Sequence, residues 1–133
     1  MRSLSLTAAF ALATMPLAAS CVAKLPTRSE ETAVTIPSQF QGMWDADAAA
    51  CAAVVSDMRQ YIGPDGMRFG DAVGEVRRVS SRDGQSVSIL TSFLSDGDPW
   101  EGEVQLSLLS KGDQLTVKSD GRSTTRQRCS SSS

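Results

Sequence analysis

Between residues 86 and 117 apolar and polar side chains alternate with a period of two. Val87, Ile89, Thr91 and Phe93 fall on one face, and Ser86, Ser88 and Ser92 on the other. Trp100, Gly102, Val104, Leu106 and Leu108 alternate in the same way with Glu101, Glu103, Gln105 and Ser107, and Leu115 with Val117 repeats the pattern more briefly. Successive side chains of a strand point to opposite sides, so this alternation predicts strands with one buried face. Asp83-Gly84, Asp96-Gly97, Gly112-Asp113 and Asp120-Gly121 punctuate the segments with residues suited to tight hairpin turns.

The same grammar extends upstream. Gly63-Pro64-Asp65-Gly66 is a turn between Met58-Gln60-Ile62 and Met67-Phe69, which predicts a short hairpin. Val73, Val76 and Val79 fall out of strict register, and a bulge near Gly74 would accommodate them. Phe40-Gln41-Gly42-Met43-Trp44 reads as an opening strand with Phe40, Gly42 and Trp44 facing inward. Asp45 to Val55 is the one helical stretch, with Asp45 or Asp47 as N-cap of an alanine-rich turn or two through Cys51. Arg122 to Cys129 is polar on both faces, as expected of an edge or closing strand. The sum is an all-β chain of about seven or eight antiparallel strands with one short helix, and a small barrel or strongly curved meander gives such strands a core while hiding their edges.

The N-terminus follows another rule. Arg2 precedes an apolar run from Leu4 to Leu17, which is shorter than the roughly 20 residues a membrane-spanning helix needs and suits a secretory leader. Leu17-Ala18-Ala19-Ser20-Cys21 then has the pattern of a lipoprotein processing site. Residues 1–20 are therefore expected to be a cleaved signal peptide, with Cys21 lipidated as the mature N-terminus. Val22, rather than Asp, suits sorting to an outer membrane, as in lipoproteins that carry this pattern, and the protein would face the periplasm. Cleavage near Ser20 without lipidation, giving a soluble periplasmic or secreted protein, is the main alternative, and an uncleaved anchor the other. Residues 21–37 read as a flexible tether with a span of roughly 20 to 24 Å, residues 38–129 as the barrel domain and residues 130–133 as a disordered tail.

Three cysteines are awkward outside the cytosol, because an odd thiol is left over. Lipidation of Cys21 would leave Cys51 and Cys129 to form a disulfide around nearly the whole domain. The plainer alternative makes Cys51 a buried thiol and Cys129 a tail residue. The chain has 13 basic and 15 acidic side chains and no histidine, a balance that implies no nucleic-acid partner.

Chemistry-bearing patterns are sparse. The acidic run from Asp96 to Glu103 lacks the spacing of a calcium loop, and the alternation places Glu101 and Glu103 opposite Trp100 on a solvated face. With no histidine, no Gly-x-Ser-x-Gly elbow, no Ser-x-x-Lys and no phosphate-cradling loop, no catalytic residue, metal site or cofactor is assigned. Arg122, Arg126 and Arg128 share one face of the last strand, a basic stripe suited to an anion or an acidic partner.

Two resemblances follow from these residues. Gly42-x-Trp44 resembles the Gly-x-Trp signature near the first strand of lipocalin-like barrels, and avidins carry a similar one. The ordered set Ile36-Pro37, Phe40-x-Gly42-x-Trp44, Cys51, Asp57, Ile62-Gly63, Arg68-Phe69, Val73-Gly74-x-Val76, Gly97-x-x-Trp100 and Cys129 resembles a group of small exported proteins of Gram-negative bacteria. The chain departs from that group after Phe69, where Gly70 and Asp71 replace an aromatic residue and a glutamate. The group carries no activity with it. The lipocalin-like form implies a non-catalytic module that binds a small apolar ligand or obstructs an envelope protein, with Phe40, Trp44, Trp100, Arg126 and Arg128 as candidate contacts. A structural interaction module of the envelope is the rival, and a cofactor-free hydrolase the third reading.

Overall fold

The computed structural model of the protein describes residues 32–130. The expected leader, Cys21 and most of the expected tether lie outside the described residues, as do residues 131–133. Nine strands form among the described residues: β1 (Thr32–Ala33), β2 (Gly42–Asp45), β3 (Gln60–Ile62), β4 (Gly66–Phe69), β5 (Ala72–Asp83), β6 (Ser86–Ser95), β7 (Asp98–Leu109), β8 (Gln114–Ser119) and β9 (Arg122–Arg128), with one α-helix, α1 (Ala48–Ala52). Strands β2 to β9 pair antiparallel with their sequence neighbours, and β9 returns to β2, so the ring closes as an eight-stranded barrel. Closure hides most of the strand edges, while β7 pairs with β8 only from Gln105 to Leu109, so residues 98–104 run on past that seam.

The alternation is realised residue by residue. Phe93 pairs with Trp100, Ile89 with Val104 and Val87 with Leu106, all on the inner wall. Asp96-Gly97 has φ of 51° and 84°, and Asp120-Gly121 has 49° and 72°; two consecutive left-handed residues give the hairpin turn whose twist matches that of the strands.

Several local expectations are corrected. The bulge lies at Arg77, because Val76 pairs with Thr91 while Arg78 pairs with Leu90. Val76 and Val79 can then both face inward across the extra residue. Gly74 stays in register, and its lack of a side chain serves packing instead. Phe40 does not belong to the opening strand: Ser38–Phe40 is a 3-10 turn, and Gly42, expected on the inner face, is exposed. Phe40 and Trp44 are nevertheless both fully buried, because the turn folds the chain back until the indole Nε1 donates to the Phe40 carbonyl at 3.0 Å. Sheet structure is also present ahead of residue 38, within the stretch expected to be tether. β1 extends the sheet along β5 past the end of β4, and Ile36 is fully buried.

The helix is shorter than expected and starts later. Asp47 caps it through a 2.8 Å bond from the Ala50 N–H, whereas Asp45 remains in β2 with its side chain buried on the outer wall. Arg59 donates from Nε to Asp45 at 3.0 Å, and its Nη2 reaches the Ala50 and Ala53 carbonyls at 2.6 and 2.8 Å. One side chain thus answers a buried carboxylate and the unsatisfied carbonyls at the end of α1. Burial would raise the Asp45 carboxyl, but hydrogen bonds from Ser56, the Ala46 N–H and Arg59 outweigh it and hold the group below its ordinary value.

The last strand is the closing strand. β9 pairs with β8 along its length but with β2 only through Trp44↔Arg128 and Asp45↔Gln127. The disulfide Cys51–Cys129, with Cα atoms 5.4 Å apart, pins α1 to this short seam.

Candidate ligand-binding mouth of the barrel

The two ends of the barrel differ. At one end gather residues 36–41 and the connections at 63–65, 84–85 and 110–113. Ile36 N–H donates to the Pro64 carbonyl, the Gln39 amide to Gly84, and Arg128 to three carbonyls at once: Gly112 at 3.0 Å, Gln41 at 3.0 Å and Gln39 at 2.7 Å. The Arg128 guanidinium also lies 4.1 Å from the centre of the Trp44 ring. Ile36, Phe40 and Trp44 fill the space beneath, so this end is closed.

At the other end stand the turns 70–71, 96–97 and 120–121, and there the interior opens into a cavity of about 370 Å³. Such a volume lies within the range of small-molecule sites. Its wall is mainly aromatic and aliphatic. Phe93 stacks on Trp100 with ring centres 4.3 Å apart, and Phe69 meets Phe93 edge-on at 5.9 Å. Val104 and Val117 continue the wall, and Arg122 is the charged group lining it.

Two glycines seat this aromatic row. A Cβ on Gly74 would lie 2.6 Å from Phe93 Cε1 and 2.5 Å from Thr91 Cγ2, and one on Gly102 would lie 2.6 Å from Trp100 Cζ3. Bare backbone at these positions lets the rings lie flat against the sheet. Trp100 retains 39% exposure and forms part of the lip.

Below the cavity the interior turns polar. Arg126 is 7% exposed. With its amide turned to present oxygen, Gln60 accepts from Arg126 Nε and Nη2, both at 3.3 Å, and Gln60 itself lines the cavity. No carboxylate forms an ion pair with Arg126 among the described residues. Desolvation lowers its pKa, partly offset by the charge of Asp45, which is already engaged by Arg59. Thr91 Oγ1 is also buried and has no hydrogen-bond partner among the described residues.

The five candidate contacts therefore do not form one site. Phe40, Trp44 and Arg128 build the closed end, Trp100 lines the mouth, and Arg126 lies between. Cys21 falls outside the described residues. Phe69, Phe93 and Gln60 line the cavity and are not among the candidates the sequence singles out. Their inward register was readable in the alternation, but nothing in a period of two tells which end of a barrel stays open. The acidic turns stand around the mouth, and Glu103 accepts from Ser88 and Gln105 on the outer wall. Comparison with protein-family models, curated proteins and solved structures finds no match.

Proposed function

We propose that the chain is a cell-envelope lipoprotein whose barrel captures a small apolar ligand at its open mouth, without catalysing a reaction. The observation that carries this reading is the cavity beside Trp100, closed below and walled by Phe69, Phe93 and Trp100. Apolar surface held open to water gains free energy when a ligand covers it. The envelope address is supported by the Leu17 to Cys21 pattern and by cysteine arithmetic. The Cys51–Cys129 pair is of a kind that persists in oxidising compartments, and it leaves Cys21 for lipid.

Titration with 1-aminoanthracene, a neutral probe that brightens in apolar surroundings, tests the capture. Saturable brightening that falls at least about tenfold in affinity in Trp100→Ala is expected. Brightening that never saturates, or that survives unchanged in that variant, refutes the reading. Intact mass of the membrane-extracted protein tests the address: a chain starting at Cys21 with added acyl mass is expected, and a chain retaining Met1 without it contradicts the lipoprotein.

A second reading, an interaction module for an envelope protein, is favoured by a row on the outer wall. Tyr61, Arg68, Val73 and Leu94 are paired in succession across four strands, and all four are exposed. Val73→Glu separates the two, since it alters this row and leaves the cavity lining intact.

A further inference from the structure

Resting on the mouth as a ligand cavity, we propose that its ligand is an amphiphile with a single anionic head, carboxylate in kind, that enters head first and is received by Arg126. Two strands, β6 and β9, behave alike. Along β6 the inward position below the cavity-lining Phe93 is Thr91, and along β9 the inward position below the cavity-lining Thr124 is Arg126. With Gln60 they are buried polar groups in an interior built mainly of apolar side chains, and both are incompletely answered by the protein. The hydroxyl of Thr91 has no partner among the described residues, and the guanidinium of Arg126 has a neutral amide where a buried cation ordinarily has a carboxylate.

A guanidinium has five N–H donors in a fixed fork, and Gln60 engages two of its nitrogens. Gln60 lies between the cavity and Arg126, so turning its amide aside exposes a cationic fork to whatever occupies the mouth. A carboxylate matches that fork in geometry and charge, and it exchanges a neutral acceptor for a charged one. The tail is then left against Phe93 and Trp100.

The rim sets a second condition. Asp71, Asp96, Asp98 and Asp120 stand in or beside the turns of the mouth and are exposed. Their repulsion acts through water and falls off over about 8 to 10 Å at physiological salt, whereas Arg126 acts in a desolvated interior. A single head that passes the rim gains more inside than it loses outside. A polyanionic head, too large to pass, stays among these four carboxylates, against which Arg122 is the one cation lining the cavity, so the rim selects against it.

Calorimetric titration at pH 7 with decanoate, 1-decanol and decyltrimethylammonium tests the inference separately from the reading beneath it. Decanoate is expected to bind at least about tenfold more tightly than decanol, a margin that Arg126→Gln abolishes while decanol binding persists. Gln60→Glu supplies an internal carboxylate to the guanidinium. It is expected to preserve the fold and to remove the same margin, which keeps the test decisive if Arg126→Gln fails to fold. Equal binding of decanoate and decanol, tightest binding of the cation, or a decanoate margin abolished by Arg122→Gln but untouched at Arg126 each overturns the inference while the apolar mouth stands. Absence of saturable binding by all three probes overturns both.

Discussion

Arg128 lies with its guanidinium 4.1 Å from the centre of the Trp44 ring while its three nitrogens hold the carbonyls of Gly112, Gln41 and Gln39. One side chain from the last strand thus joins the first strand of the ring, the turn before it and the β7–β8 connection. The closed floor of the barrel depends on this planar fork, which an ammonium cannot reproduce. Arg128→Lys is expected to lower stability by about 2 kcal/mol despite conserving the charge, measured as a shift in urea midpoint at unchanged slope. A variant within a few tenths of the parent would show that the floor is held by packing alone.

Asp45 sets the behaviour in acid. Its folded carboxyl lies below its ordinary value, so its contribution is complete above the unfolded pKa of about 3.9 and is lost as pH falls through the folded value beneath that. Stability followed from pH 7 downward should fall more steeply below about pH 4 in the parent than in Asp45→Asn. At pH 7 the variant should be weaker by about 3 kcal/mol, because Arg59 loses its buried partner.

Gly74 tests the seating of the aromatic row. Gly74→Ala places a methyl against Thr91 and Phe93, and a loss of about 1 to 3 kcal/mol is expected, with a changed near-ultraviolet dichroism band as the Phe93–Trp100 stack opens. Gly84→Ala meets no atom within 4 Å and serves as the control, expected to lie within about 0.5 kcal/mol of the parent.

The disulfide closes a sequence separation of 78 residues, where restricting the unfolded chain contributes up to roughly 4 kcal/mol. Cys51→Ser with Cys129→Ser should lower the melting temperature. It should also speed hydrogen exchange first along α1 and the β2–β9 seam, where only two residue pairs connect the strands.

Much of this fold was legible in the chain. The inward faces of β6 to β8 and the Asp-Gly turns follow from local rules, since a half-buried strand must alternate and a two-residue hairpin must supply left-handed residues. What escaped depends on distant contacts. Asp45 and Asp47 are equally good N-caps by type, and Arg59, 14 residues from Asp45, decides between them. The glycine at residue 74 read as a bulge, but its reason is the Phe93 ring from the neighbouring strand. Phe40 imitates a strand position because a 3-10 turn buries it on the same side as Trp44. The site was half visible: Trp100 and Arg126 could be singled out by type, whereas their separation from Trp44 and Arg128 follows from which end of the barrel is closed.

Backbone amide NMR with added 1-decanol tests most directly whether the open end of the barrel is a ligand cavity. Saturable shifts confined to Phe69, Ala72, Phe93, Trp100, Val117 and Ser119, with Phe40 and Met43 unmoved, are the expected result. Shifts centred on the closed end, or none that saturate, would contradict it.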